Sequence, residues 1–155
     1  MSRPYTPHQA LPHGPDMVLL DRVLDWDAEH ARCSVAIRRT SRFFEPGRGV
    51  PGWVGIEYMA QCIGVWAGIQ RLEAGQPVII GLLLGTRAYE FSCEYFTEGQ
   101  QLAVEVEMLV RDSTGVGAFA CVLRDDTGVL ARGDVKAYQP DDITGYLKSL
   151  AGENA

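Results

Sequence analysis

Residues 53–73, WVGIEYMAQCIGVWAGIQRLE, constrain the fold more than any other part of the chain. At 3.6 residues per turn, Trp53, Val54, Ile56, Tyr58, Met59, Ile63, Val65, Trp66 and Ile69 fall on every side of a helix. A helix with no polar face has nothing to turn toward water, so other elements must enclose it. The rest of the chain offers strands for this. MVLLDRVLDWD (17–27) reads as a strand ending in a turn. EHARCSVAIRR (29–39) places Ala31, Cys33, Val35 and Ile37 on one face. QPVIIGLLLGTRAYEFSCEYF (76–96) is a long extended segment, in which Gly81 and Gly85 suggest bulges or close backbone approach. QLAVEVEMLVRD (101–112) alternates cleanly through Leu102, Val104, Val106 and Met108, and residues 116–139 read as a hairpin about Asp126-Thr127-Gly128. Two strands, one helix and four strands imply an α+β fold, with a curved antiparallel sheet of about six strands wrapped around one long helix.

This core is flanked by an irregular proline-rich arm, 1–16, and a short tail, 140–155, in which DDITGYLKSLAG suits a surface helix capped by Asp141 or Asp142. A chain of 155 residues, 46% hydrophobic and 22% charged, suits one domain spanning 1–155. It has no stretch of membrane-span length and purity, and its polar start is unlike a secretory signal, so the cytoplasm is the expected compartment. A net charge of -6 argues against general nucleic-acid binding. Cys33, Cys62, Cys93 and Cys121 lack metal-ligand spacing and read as small buried hydrophobes, and no metal is expected. Arg38, Arg39, Arg42 and Arg48 cluster in the loop region before the helix. They form either a solvated basic face or a docking surface for an acidic carrier protein or a phosphopantetheine phosphate.

One stripe of the helix breaks the apolar pattern: Glu57, Gln61, Gly64 and Gly68. In one reading the glycines admit a neighbouring strand, and the polar pair is satisfied by nearby backbone. In the other, because an unpaired buried carboxylate is costly, Glu57 is protonated, paired or beside a water-filled cleft, and the glycines leave a groove the width of a hydrocarbon chain. Pro51-Gly52 sets the helix start, so free N–H groups near Gly52, Trp53 and Val54 would suit a carbonyl oxygen that gains negative charge. Acid, oxyanion donors and apolar groove together describe a site for an acyl thioester.

Three ordered motifs carry a resemblance. LPHGPDMVLLDRVLDWD (11–27), PGWVGIEYMAQ (51–61) and LGTRAYEFSCEYFTEGQQLAVEVEMLVR (84–111) are similar to the opening, the helix start and the strand pair of the hotdog-fold 3-hydroxyacyl carrier-protein dehydratases. The likeness covers about residues 8–138 and extends to the dehydratase-like proteins of aryl polyene biosynthesis. It implies a double hotdog with sites at the subunit interface. One subunit's helix supplies the glutamate, here Glu57, and the other supplies a histidine base from a Gly-His-Phe-Pro-Gly loop. It also implies an acyl carrier protein as partner, with no cofactor beyond the phosphopantetheine that carries the substrate, and a homodimer or a heterodimer with a related dehydratase. In this chain the matching loop, SRFFEPGRGVPG, has no histidine. His13 matches a second family histidine near the site. It either pins the arm or acts as a displaced base, while His8 and His30 fall in the arm and in a turn. Three functions remain open: a dehydratase using Glu57 and His13 with Gly52, Trp53, Gln61, Gly64 and Gly68 around the substrate; a hotdog thioesterase using Glu57 alone; and a non-catalytic acyl-binding partner of a histidine-bearing dehydratase.

Overall fold

A computed structural model of the chain describes residues 5–139 and Gly152; the tail helix expected after 140 lies outside this range. The central helix, α2 (Gly55–Glu73), follows a single 3-10 turn at Gly52–Val54. Six strands form one antiparallel sheet around it: β1 (Arg22–Trp26), β2 (His30–Ala36), β4 (Leu82–Phe91), β6 (Gln101–Arg111), β7 (Val116–Asp125) and β8 (Gly128–Tyr138). Their order is β1-β2-β6-β7-β8-β4. A short pair, β3 (Val50–Pro51) with β5 (Tyr95–Phe96), braces the helix start.

The alternation legible in the sequence becomes a one-sided core. Ala31, Cys33 and Val35 of β2, Leu102, Val104 and Val106 of β6, and Phe119, Cys121 and Leu123 of β7 turn inward. They meet Tyr58, Met59, Cys62, Ile63, Val65, Trp66 and Ile69 of α2. Each large side chain buried this way stabilises the fold by ~1.5–3 kcal/mol. Trp66 and Phe119 add an edge-to-face ring contact at 5.5 Å. The β7–β8 turn is as tight as the sequence suggests, with Asp125 paired to Gly128.

The helix start is fixed from below. The Gly52 N–H donates to the Glu94 carbonyl at 2.8 Å, and the Tyr89 hydroxyl donates to the Gly52 carbonyl at 2.8 Å. Gly49 sits at φ +124 against the Phe96 backbone, where a side chain would be both strained and blocked. One expectation fails here. Trp53, placed by the sequence among the enclosed residues, is 55% exposed, because the 3-10 turn directs it outward onto Phe43, 5.7 Å away ring to ring. Phe43 itself has φ 69, a left-handed conformation that costs a non-glycine residue ~1–2 kcal/mol.

The arm is more ordered than its prolines suggest. Thr6 and Gln9 form a capping box over a single-turn helix, α1 (Pro7–Ala10), and a 3-10 turn follows at Pro15–Met17. The first strand consequently begins at Arg22, five residues later than the apolar run at 17 suggests. At the other edge, β4 pairs only with β8 among the described residues. Its register shifts at Leu83/Gly85, matching the bulge expected at Gly85, and again at Arg87/Glu90. Leu83, Leu84 and Phe91 of this edge strand are each nearly half exposed. Among the described residues, no helix is long and apolar enough to cross a membrane.

Candidate functional site

The arm lies along α2 in the opposite direction, as three contacts show. Ala10 covers Gly68, Leu11 covers Gly64, and residues 17–19 are held at Gln61. Among the described residues, Gln61 is the buried polar residue of the core, 4% exposed. Its Oε1 accepts the Leu19 N–H at 2.8 Å and its Nε2 donates to the Met17 carbonyl at 2.7 Å. Both ends of the amide are satisfied, as burial demands.

Beside this seam a cavity of about 360 Å³ opens between α2, residues 11–13 of the arm, and the inner faces of β4, β7 and β8. Glu57, half-buried in the first turn of α2, lines it together with Gln61, Gly64 and His13. The middle of the wall is apolar, with Ile63, Ala67, Phe119 and Val135. Glu57 is neither sealed in the core nor ion-paired with any described residue. It fronts space that can hold water or a ligand. His13, an exposed residue between the contacts at Gly64 and Gln61, stands on the rim at the same end.

The other expected residues are placed elsewhere. Gly68 does not line the cavity. A Cβ there would lie 2.8 Å from the Ala10 carbonyl carbon, so the groove expected at this point is filled by the arm's own backbone. Gly52 packs on the Phe91 ring, where a Cβ would lie 2.6 Å away, and its N–H is engaged by Glu94. It is therefore not a free oxyanion donor within this chain. Trp53 points outward beside Phe43. Among the arginines, Arg38 pairs with Asp21 at 3.0 Å and Arg39 with Glu98 at 3.0 Å. Arg42 donates only to the Asp16 carbonyl at 3.3 Å and lies over the Phe43 ring, and Arg48 donates to the Tyr95 hydroxyl at 3.1 Å. Arg38 and Arg42 flank a second, polar cleft of about 540 Å³ that also meets Asp21 and Tyr58. Burial and, secondarily, Asp21 push the Tyr58 phenol well above its ordinary range.

His8 is exposed on α1, and His30 sits 3.5 Å from Asp25 and 3.9 Å from Asp27 on β2. The cysteines are free thiols. Cys33, Cys62 and Cys121 are buried and Cys93 is half-buried. Burial, and then Cys33, raise the Cys62 thiol; burial, and then Asp134, push Cys121 up to about 12. These are poor nucleophiles at neutral pH. The described residues contain no group of three or more side chains placed to hold a metal ion.

Sequence reasoning missed the far end of the cavity, where Arg71, Gln76, Arg111 and Gln139 form the wall. Arg71 was within reach of the stripe argument, because it follows Glu57 by fourteen residues and so repeats its face nearly four turns later. Arg111 and Gln139 arrive from strand ends, which no local pattern marks.

One helix enclosed by a curved six-stranded antiparallel sheet is the hotdog fold. The ApeP-like family, described as ApeP dehydratase, matches residues 5–148, and the chain belongs to it. It is similar to a chain of the dehydratase heterocomplex ApeI:P from Xenorhabdus doucetiae, with 34% identity, a TM-score of 0.88, and coverage of 96% of this chain and 99% of that one. Two more distant structures share the fold. A hypothetical thioesterase with coenzyme A from Streptococcus pneumoniae has 10% identity, a TM-score of 0.59, and coverage of 76% and 83%. The PaaI protein of E. coli has 9% identity, a TM-score of 0.58, and coverage of 76% and 81%. None of the curated proteins resembles the chain significantly in sequence.

Proposed function

We propose that this chain is one subunit of a 3-hydroxyacyl thioester dehydratase, and that its site is completed at an interface with a related, histidine-bearing subunit. The observation that carries the reading is Glu57 on the wall of a cavity whose middle is apolar, with no ion-pair partner among the described residues. In the reaction a base takes the proton from the carbon next to the thioester carbonyl, and the electrons move to form the carbon–carbon double bond. The 3-hydroxyl leaves with a proton from Glu57, giving water and a trans-2-enoyl thioester. General acid assistance of this kind contributes ~100- to 10,000-fold.

The base is the missing part. The loop before the helix has no histidine, and His13 makes no ion pair with Glu57. The exposed apolar edge of β4, continuous through Phe91 with Gly52 at the helix start, supports a second hotdog subunit adding its strand there. The similar Xenorhabdus structure is a heterocomplex, which supports a related rather than identical partner. The substrate reaches the site on a carrier protein, for which Arg42 and Arg48 offer guanidinium groups not paired to a carboxylate of any described residue.

The test is to incubate the chain, alone and with a histidine-bearing homologue, with a 3-hydroxyacyl carrier protein and follow the mass of the acyl group. The expected result is loss of water only in the mixture, abolished by Glu57→Gln. Release of free acid would make the protein a thioesterase instead. Unchanged turnover of Glu57→Gln would remove the acid role assigned here.

A further inference from the structure

The strand at the open edge of the sheet reaches the helix start through one side chain. In β4, Arg87 lies opposite Asp134 of β8 and Glu90 opposite Arg132, so Ala88 and Tyr89 together face the single residue Gly133. This is a β-bulge, and Ala88 takes φ 54 in it, a left-handed conformation that non-glycine residues seldom adopt. Bulges re-aim side chains, often next to functional sites. Here the Tyr89 ring passes over Gly133, where a Cβ would lie 3.2 Å from its Cδ1. The hydroxyl donates to the Gly52 carbonyl at 2.8 Å. The same carbonyl accepts the Gly55 N–H, which opens the turn that carries Glu57 two residues later. The hydroxyl rests directly on Gly55, since a Cβ there would overlap it. The Phe91 ring, 5.4 Å from that of Tyr89, packs on Gly52 beside it. Burial, and then Cys93, raise the Tyr89 phenol above its ordinary range, so it keeps the proton it donates.

We propose that Tyr89 is a positioning residue for Glu57, tying the turn that bears the acid to the exposed edge strand. The inference rests on the reading of Glu57 given above. Tyr89 does not line the cavity that Glu57 faces, so it acts through the turn. Neither the 3-10 turn nor α2 has a side-chain cap at its start. The turn is held instead at Gly52, by Tyr89 on its carbonyl and by the Glu94 carbonyl on its N–H. An acid must stand within hydrogen-bond reach of the group it protonates, and a misplacement of about 1 Å costs on the order of 100-fold in rate. A partner strand added along β4 would therefore meet the bulge whose ring fixes the acid.

Tyr89→Phe removes the hydroxyl and keeps the ring. In the mixture with a histidine-bearing homologue, acting on a 3-hydroxyacyl carrier protein, kcat is expected to fall ~10- to 100-fold, with KM and affinity for the homologue changed by less than about twofold. Gly55→Ala is the second variant. Gly55 has φ -54 and ψ -30, which alanine adopts freely, so any loss comes from the new methyl against the Tyr89 hydroxyl. In the Tyr89→Phe background that methyl meets only the ring Cζ atoms of residue 89 and Phe96, each at 3.4 Å. Each single variant is therefore expected to lower kcat, and the double variant to be no worse than Tyr89→Phe, because both changes break one contact. An unchanged kcat in either single variant overturns the proposal. Losses that multiply in the double variant overturn it too, as does a kcat loss matched by weaker binding of the homologue. A wild-type mixture that removes no water overturns the dehydratase reading and the proposal together, whereas an active wild type with an equally active Tyr89→Phe leaves that reading standing.

Discussion

Gly68→Ala decides whether the glycine stripe of α2 is a substrate groove or a seat for the arm. On an open helix face alanine is favoured over glycine by ~1 kcal/mol, so a vacant groove predicts a more stable protein. In this structure the new Cβ would lie 2.8 Å from the carbonyl carbon of Ala10 and 3.1 Å from its Cα, with the carbonyl oxygen closer still. These are backbone atoms that no side-chain rotation can move, so α1 must shift as a unit. Overpacking of this kind costs ~1–3 kcal/mol. The cost is capped by undocking of the arm, which re-exposes Leu11 and Ala10 and forfeits ~2–3 kcal/mol. Because the obstructing atoms are backbone, the overpacking cost falls in the upper part of its range, ~2–3 kcal/mol, and after the helix-propensity gain of ~1 kcal/mol the net destabilisation is ~1–2 kcal/mol. In a chain of this size each kcal/mol lowers Tm by ~2–4 °C, so circular dichroism melts should show a fall of several degrees. Limited proteolysis should cut the arm faster. Gly64→Ala is the control. Its Cβ meets only the Leu11 Cδ2 at 2.8 Å, a methyl that can rotate away, and the expected effect is neutral or slightly stabilising. A rise in Tm for both variants, with unchanged arm cleavage, would refute the reasoning.

Gln61→Leu strands the Leu19 N–H and the Met17 carbonyl, each costing ~1–3 kcal/mol, and should lower Tm more than Gly68→Ala. Hydrogen exchange confined to other regions would contradict it, since residues 17–19 should loosen first. Native thiol labelling at pH 8 should modify Cys93 slowly and leave the three buried cysteines untouched. Burial raises the Cys93 and Cys121 thiols, so their thiolate fractions grow only as pH rises, and the Cys93 rate should climb first. A second thiol reacting as fast as Cys93 in the folded protein would overturn the burial argument. In the mixture with a histidine-bearing homologue, the proposed dehydratase reading predicts that His13→Ala reduces turnover by far less than the ~100-fold or more that removing a general base costs. A loss of that size would make His13 the base.

The architecture was legible because its signals are local. The all-round apolar helix, the period-two alternation of β2 and β6, and the Asp126-Thr127 turn each act within a few residues and agree with one another. The half of the site built on α2 was legible for the same reason, since Glu57, Gln61 and Gly64 share a helical face. What failed was long-range. A stripe of small residues says that something approaches closely but not what, and an arm forty to sixty residues upstream was invisible to the helix pattern. Trp53 failed locally, because a 3-10 turn rotates side chains by a different step than the α-helix the sequence implied. Arg111 and Gln139 carry no periodic signature, and only the sheet topology brings them to the cavity.

The seating of the arm bears on ligand binding. Ala10 closes the helix face at Gly68, while Leu11, Pro12 and His13 continue as cavity wall, so the same segment both seals the core and shapes the site. Gln61 fastens this segment one turn from Glu57. A change that loosens the arm should therefore alter ligand binding without touching Glu57, and variants of Gly68 and Gln61 should lose affinity for acyl probes in proportion to their loss of arm protection. Variants that weaken the fold elsewhere, such as in the β7–β8 turn, should lower Tm without this coupling. Measuring probe affinity against arm protection across both sets separates an arm that belongs to the site from one that merely stabilises the fold.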